Sequence, residues 1–133
     1  MGLFFTAYFV TIIVFFAIDM LWLGIIAKNI YQKHIGHLLK KNVNWIAAFT
    51  FYFLFIAGLV FFVILPALDR DAVTYALLVG GLFGLLTYAT YDLTNLATLK
   101  DWPITITIID LIWGTALGAA TSTIAFLIVR LIM

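Results

Sequence analysis

The chain lacks or is poor in several residue types, and each shortage removes a class of function. Its 133 residues include no cysteine, which excludes disulfides, thiolate metal sites and a cysteine nucleophile. There is no glutamate, so every acidic role falls to six aspartates. Only 10% of the residues are charged and the formal net charge is +1, which is too little to indicate nucleic-acid binding. We predict no nucleic-acid partner and no cofactor.

Apolar residues fill the remainder of the composition. They make up 66% of the chain, and the mean hydropathy is +1.22. A soluble domain of this length could not bury so much apolar surface, so the surrounding solvent is predicted to be a lipid bilayer. We expect residues 1–133 to form a single transmembrane domain. No Lys or Arg precedes Lys28 and no small-residue cleavage site is evident, so the first apolar run is interpreted as a retained helix and not as a signal peptide.

The apolar runs predict an all-α integral membrane bundle of four transmembrane helices, with a short interfacial helix between the first and the second. The predicted spans cover residues 3–27, 45–66, 72–98 and 103–131, and residues 28–44 form a polar loop. Asn44 is a candidate N-cap and Trp45 suits the membrane interface. The second span has few polar side chains, so it is predicted to be the most lipid-exposed. Pro66 and the acidic residues after it predict a short turn.

The stretch from Tyr88 to Asp101, YATYDLTNLATLKD, ends an apolar run with polar side chains. Tyr88, Asp92 and Asn95 follow the spacing i, i+4, i+7, which places them along one stripe of a helix. A carboxylate inside a bilayer costs about 2.5–3.5 kcal/mol on insertion scales, so a reason for its presence is needed. Asp19 and Asp110, in the first and fourth spans, require the same explanation.

The three aspartates are predicted to lie at one depth. Counted from the loop-side end of each span, Asp19, Asp92 and Asp110 lie nine, eight and eight residues into the membrane. At a rise of 1.5 Å per residue, each lies about 12–13 Å from the same face. If they face one another they cannot all be ionised at pH 7, and a proton, a cation or a basic ligand would relieve the repulsion. The alternative is that they are structural hydrogen-bond acceptors that hold the helices in register.

We predict a ligand-binding layer formed by these carboxylates, an amide and nearby aromatic rings able to make stacking and cation–π contacts. Its members are Asp19, Trp22, Tyr88, Tyr91, Asp92, Asn95, Asp110 and Trp113. His34 and His37 form an H-x-x-H pair that could ligate a metal, although loop histidines near an interface are more often solvated. Small-residue steps at Gly80/Gly84 and Gly114/Gly118/Ser122 predict close helix packing.

Two internal echoes compete as signs of a repeat. Asp19 to Lys28 resembles Asp92 to Lys100, with Trp45 and Trp102 opening the helices that follow, whereas I-D-x-x-W recurs at Ile18–Trp22 and Ile109–Trp113. The two echoes pair different helices and cannot be the same repeat, so both interpretations stay open.

Five segments together resemble a family of small bacterial inner-membrane proteins catalogued only as a domain of unknown function. They are AIDMLWLG (17–24), YQKHIGHLL (31–39), FYFLFIAGL (51–59), YATYDLTNLATLKDWP (88–103) and IDLIWG (109–114). The resemblance spans nearly the whole chain, and YATYDLTNLATLKDWP is its most specific segment. It implies a four-helix integral membrane protein and brings no activity with it.

Charge counts predict the orientation. The loop of residues 28–44 carries four Lys residues and the 99–102 connection one, whereas the opposite side has Arg70 and Arg130. This bias places the loop in the cytoplasm and both termini outside the inner membrane.

Three functions fit these features. The first is binding or transport of a cationic or amphipathic solute coupled to protons, and a chain this short is expected to work as a homodimer. The second is an enzyme embedded in the membrane that acts on a lipid or isoprenoid. The third is a non-catalytic membrane subunit or lipid-binding scaffold. The expected partners are membrane lipids, a second copy of the chain and a small cationic or lipid-like ligand.

Overall fold

The computed structural model describes residues 2–133, and no strand occurs among them. The helices are α1 (Gly2–Ile26), α2 (Ile30–Ile35), α3 (Trp45–Arg70), α4 (Val73–Thr98) and α5 (Ile104–Ile132). The four long helices have the length and composition of membrane spans. A 3₁₀ turn at Gly36–Leu38 follows α2. The all-α fold of four spans with a short helix after the first is therefore confirmed.

The second span begins where the sequence predicts and ends later. The Asn44 side chain accepts a hydrogen bond of 3.1 Å from the Ala47 amide, so Asn44 caps α3. The turn predicted from Pro66 and the Asp69–Asp71 segment occurs only at the end of that stretch, because α3 continues past Pro66 to Arg70. A wider π-helical turn at Val60–Ile64 precedes the proline, with Leu65 between them. The chain turns only at Asp71, which has the left-handed φ of 50°.

Helices α4 and α5 form the tightest pair in the bundle. A Cβ added at Gly84 would collide with the Gly114 carbonyl, and one added at Gly118 would collide with the Gly80 carbonyl. The backbones of the two helices therefore touch, as the small-residue steps predict. Helix α1 packs against both α5 and α3, and the later part of α3 packs against α4, so the four spans form a ring in the order α1, α3, α4, α5.

The apolar core lies in the half of the bundle away from α2. Its largest members are completely buried side chains from α1, α3 and α5, namely Phe15, Ile56, Leu59, Val60, Val63, Ile64, Leu117 and Val129. The prediction that the second span is the most lipid-exposed is wrong, since 39% of its most apolar window is buried, against 22% for α1 and for α4. Lipid tails are as apolar as leucine, so a lack of polar side chains does not direct a helix outward.

The first part of α3 behaves differently from the second. Most side chains from Trp45 to Leu54 are exposed, and contact with α4 begins at Phe55, whose ring centroid lies 5.5 Å from that of Phe83. The start of α3 thus stands away from α4 at the end of the bundle that carries α2. This separation leaves the space in which the candidate site lies.

Candidate functional site

A cavity of about 710 Å³ occupies the α2 end of the bundle, and every helix contributes to its wall. Six of the eight residues predicted for the polar layer line it: Asp19, Trp22, Tyr88, Tyr91, Asp110 and Trp113. The other two lie outside the lining. Asn95 is partly buried and stands beside the Tyr91 phenol, while Asp92 is buried behind the wall between α4 and α5. All three predicted aspartates are buried.

The carboxyl groups of Asp92 and Asp110 lie within hydrogen-bonding reach of each other. Asp92 has 0% exposure, and among residues 2–133 no N–H or O–H donor contacts either of its carboxyl oxygens. Two buried carboxylates side by side repel each other strongly in a low-dielectric setting. The pair therefore needs a proton or a cation between or beside its members.

Tyr31 of α2 reaches into the bundle and completes a hydrogen-bond chain. The Trp22 indole donates from Nε1 to the Tyr31 hydroxyl over 3.0 Å, and that hydroxyl donates to Asp110 Oδ1 over 2.5 Å. Burial raises the pKa of the Tyr31 phenol above its usual value, and the hydrogen bond to Asp110 raises it further. Tyr31 therefore remains protonated and acts as the donor to Asp110.

Sequence reasoning missed Tyr31, although a signal was available. Tyr31, Ile35 and Leu38 follow the spacing i, i+4, i+7, which is the pattern of one helix face. Ile35 is buried against Trp102 and Ile106, so this face turns toward the bundle. A tyrosine on the buried side of an otherwise polar segment is the feature that could have identified it.

The two I-D-x-x-W segments meet across the cavity wall. The Trp22 and Trp113 rings stack with centroids 4.3 Å apart and an interplanar angle of 8°. The Cα–Cβ bonds of a helix tilt toward its N-terminus, so on antiparallel helices Trp22 leans away from the α2 end and Trp113 leans toward it. The Trp113 indole of α5 therefore stands beside the Asp19 carboxyl of α1. Trp22 of α1 is linked to Asp110 of α5 by hydrogen bonds through Tyr31.

Aromatic rings that the sequence did not assign to the site form the opposite wall. Phe51 and Tyr52 come from α3, and Trp102 comes from the connection between α4 and α5. Trp102 is buried, donates from Nε1 to the Thr107 hydroxyl over 3.1 Å and meets Tyr91 edge to face at 5.6 Å. The sequence placed Trp102 only at a turn, because a contact made by the chain folding back leaves no local spacing pattern.

The cavity lining includes exposed side chains from several parts of the chain. The α1/α3 seam is filled by Phe16, whose ring lies 5.5 Å from Tyr52, and the α1/α5 seam is filled by the stacked tryptophans. The α4/α5 seam is closed by glycine contacts. Phe51 and Tyr91 line the cavity on α3 and α4 and are 40% and 55% exposed, and the exposed Leu23, Leu39 and Val43 line it on α1 and on the loop before α3.

The two histidines lie apart from the carboxylates. His34 Nδ1 is 2.9 Å from the Ile30 carbonyl of its own helix, and His37 is exposed. Among the described residues no three His, Asp or Glu side chains are grouped so that they could hold a metal ion. The H-x-x-H pair therefore gains no third ligand from the fold.

Residues 4–127 match the family model described as Predicted membrane protein (DUF2177). The chain belongs to this family. The resemblance inferred from its five segments is thereby confirmed. No curated protein and no solved structure matches the chain. The DUF2177 chain is thus a membrane protein with four candidate spans. The cavity is the feature of the fold that indicates a function.

The carboxylates of the DUF2177 cavity have no basic partner. Within residues 2–133 the one ion pair joins Arg130 to Asp71, with Nε and Oδ1 3.0 Å apart, at the opposite end of the bundle. Asp19 and Asp110 are buried on the cavity wall without a Lys, Arg or His at ion-pair distance. Buried charges are normally paired. An aromatic cavity with unpaired carboxyls can attract a cation, hold a proton, or exchange one for the other.

Proposed function

We propose that the protein binds an amphipathic cation in this cavity and couples its movement across the inner membrane to protons. The observation that carries the proposal is the presence of Asp19 and Asp110, buried and without a basic partner, on the wall of a 710 Å³ aromatic cavity. That volume falls within the range of about 300–1,000 Å³ typical of small-molecule sites. The ligand's positive charge would replace the missing basic side chain.

The aromatic walls of the cavity contribute to binding of the cation, in addition to the two carboxyls. Trp22 and Trp113 offer a stacked indole surface on one side, and Tyr52 with Phe51 faces them from α3. A cation near such rings gains about 0.5–2 kcal/mol, with the larger value for a desolvated site. Aromatic groups of the ligand would stack on the same surfaces. These features favour a bulky organic cation over a small hydrated metal ion.

The position of the opening supports transport from the bilayer. We infer an opening between Phe51 of α3 and Tyr91 of α4, at the α2 end, which the lysine bias predicts to be cytoplasmic. We therefore place the opening in the cytoplasmic leaflet, with both termini outside. The core closes the other half of the bundle, so release on the far side requires a second conformation. A homodimer of this short chain would provide the interface against which such a change could occur.

The first experiment measures binding without assuming a natural ligand. Purified protein is titrated with tetraphenylphosphonium, and binding is followed by tryptophan fluorescence, since Trp22, Trp102 and Trp113 all line the cavity. Tetraphenylborate has nearly the same shape and the opposite charge, so it is the matched control. We expect saturable binding of the cation and none of the anion.

Variants test the assignment of the charge. Asp110→Asn and Asp19→Asn should each weaken cation binding at least tenfold, because each removes a carboxylate while keeping its shape. Asp69→Asn removes an exposed carboxylate outside the cavity and should leave binding unchanged. Equal affinity for the two tetraphenyl ions, or Asp69→Asn acting like Asp110→Asn, would contradict the proposal. Proton flux in liposomes containing a pH-sensitive dye then distinguishes transport from binding alone.

The same inferred opening favours a second candidate, an enzyme that acts on a lipid or isoprenoid. Such a substrate would enter from the acyl-chain region past Phe51 and Tyr91, and the Tyr31–Asp110 pair would be the acid–base group nearest to it. Cells that overproduce the protein should then show an altered lipid profile that Asp110→Asn abolishes. Co-purification of a stoichiometric protein partner without either activity would favour the third reading, a non-catalytic subunit.

A further inference from the structure

The Asp92 carboxyl is the most enclosed polar group of the site, and its surroundings specify its protonation state. Its side chain has 0% exposure and lies against the Asp110 carboxyl. Neither Asp92 oxygen meets a donor among the described residues. Two ionised carboxylates in this position would be buried, unpaired and mutually repulsive. One proton shared by the pair removes the repulsion and supplies the missing hydrogen bond.

The direction of the surrounding hydrogen bonds indicates which carboxyl holds that proton. The Tyr31 oxygen accepts the Trp22 N–H, and its single hydrogen is donated to Asp110. Asp110 is therefore already an acceptor, as a carboxylate is. With the proton on Asp92, the ionised Asp110 accepts hydrogen bonds from both Tyr31 and Asp92. With the proton on Asp110, an ionised Asp92 would accept only that one hydrogen, because no other donor among the described residues meets it. The first arrangement stabilises the negative charge better.

We propose that Asp92 and Asp110 form a proton-binding site in which the single proton resides on Asp92, and that Tyr31 positions Asp110 as the carboxylate. The resulting series of hydrogen bonds runs from Trp22 to Tyr31 to Asp110, and Asp92 donates to Asp110 from the other side. Asp110 lies on the cavity wall and Asp92 behind it. The cavity thus presents a carboxylate to a ligand and keeps the proton out of its reach.

The surrounding titratable groups leave this assignment intact. Tyr31 faces the pair from α2, Tyr88 and Tyr91 face it from α4, and Asp19 and Tyr52 lie across the cavity on α1 and α3. All four tyrosines are neutral at pH 7. No Lys, Arg or His lies at ion-pair distance from the pair within residues 2–133. The proton is therefore the positive charge available to the pair when no ligand is bound.

The net charge of the pair connects this site to the exchange of a proton for a cation, and this step rests on the proposed function. With one proton the pair carries a net charge of −1. If the Asp92 proton leaves as a monovalent cation seats against Asp110, the pair and its occupant again sum to −1. One cation for one proton therefore leaves the buried charge unchanged.

Infrared spectroscopy of the ligand-free protein tests the proton site directly. A protonated, buried carboxyl gives a C=O band that is separate from amide and carboxylate absorption. Spectra are recorded at pH 7 in an Asp19→Asn background, so that the third buried carboxyl cannot contribute. We expect a band that Asp92→Asn removes completely and Asp110→Asn retains with a shifted frequency. A band that survives Asp92→Asn, or that only Asp110→Asn removes, would overturn the assignment.

Tyr31→Phe tests the positioning role. It removes the hydroxyl donated to Asp110 and keeps the ring, so the Asp92 band should shift without being lost. Tyr91→Phe is the matched control, because its phenol stands beside Asn95 and makes no hydrogen bond to either carboxyl. An unshifted band in Tyr31→Phe, with the fold intact by circular dichroism, would remove Tyr31 from the site. Since no ligand is added, failure here leaves the cation-binding test unaffected, and the reverse also holds.

Discussion

The two halves of the bundle are built from similarly apolar sequence and pack in different ways. In the half away from α2, the later part of α3 fills the centre with completely buried side chains such as Ile56 and Leu59, and the α4 and α5 backbones touch. In the half near α2, the start of α3 stands apart from α4, and a 710 Å³ cavity takes the place of the core. Glycines distinguish the first half, whereas carboxyls and large aromatic rings distinguish the second.

This contrast shows what holds a bundle together when the solvent is itself apolar. Transferring a leucine from lipid to a protein core gains little, so helix association depends on close van der Waals contact and on polar bonds between helices. The half away from α2, the closed half, is held by van der Waals contact. The half near α2, the open half, is held by polar bonds through Tyr31, Trp22 and Asp110. We therefore expect substitutions in the closed half to reduce stability, and substitutions in the open half to change binding more than stability.

Gly84→Ala should have the largest effect on stability. Its new Cβ would meet the Gly114 carbonyl, a backbone atom that cannot rotate away. Forcing α4 from α5 should lower the free energy of unfolding by about 3 kcal/mol, the upper part of the usual range for overpacking. Denaturant titration in mild detergent measures the loss. Gly24→Ala is the control, because nothing lies within 4 Å of its added Cβ and its stability should be unchanged. Equal stability of the two variants would show that the glycine contacts do not hold the closed half.

The number and class of the helices could be predicted from sequence, since four long apolar runs have few alternatives in a bilayer. The positions of Asp19, Asp92 and Asp110 along their helices could be counted from the sequence as well, and all three side chains are buried. Which side chains line a cavity could not, since that depends on how far neighbouring helices stand apart. Asp92 is buried like the other two and still lies outside the cavity lining.

Two features of the structure could not be predicted, because local sequence does not report them. Tyr31 meets Asp110 from a separation of 79 residues, and no local spacing reports such a contact. The exposure of the second span was mispredicted for a related reason. In a membrane a purely apolar helix fits both the lipid and the core, so hydropathy cannot distinguish the start of α3, which is exposed, from its later part, which is buried.

Asp110→Leu should have the second largest effect. Leucine accepts no hydrogen bond, so the Tyr31 hydroxyl and the Asp92 carboxyl would both lose their partner inside the bundle. We expect a loss of about 2 kcal/mol in unfolding free energy, the usual cost of leaving a buried polar group unsatisfied. Asp110→Asn keeps an acceptor for Tyr31 and removes a charge, so its stability should stay within about 1 kcal/mol of the natural protein. If Asp110→Asn lost as much as Asp110→Leu, the carboxylate would be a structural element and not a ligand for a cation.

Trp22→Phe should have a smaller effect on stability than on binding. The substitution reduces the stacked contact with Trp113 and removes the N–H donated to Tyr31. We expect a loss of about 1 kcal/mol in stability, the size of one aromatic pair, together with clearly weaker binding of tetraphenylphosphonium. Trp45→Phe is the control, since Trp45 lies outside the cavity lining at the exposed start of α3. An equal effect of the two substitutions on binding would mean that the fluorescence signal arises outside the cavity.

Arg130→Gln should have the smallest effect, and it tests whether charge contributes to the closed half. Arg130 pairs with Asp71 and so links the end of α5 to the α3–α4 turn, but the two side chains are 53% and 67% exposed. Water and salt screen such a pair, so its loss should cost at most about 0.5 kcal/mol, and raising the salt concentration should erase the difference from the natural protein. Thermal unfolding in detergent at low and high salt measures both quantities. A loss as large as that of Gly84→Ala would mean that an ion pair, and not backbone contact between α4 and α5, holds the closed half together.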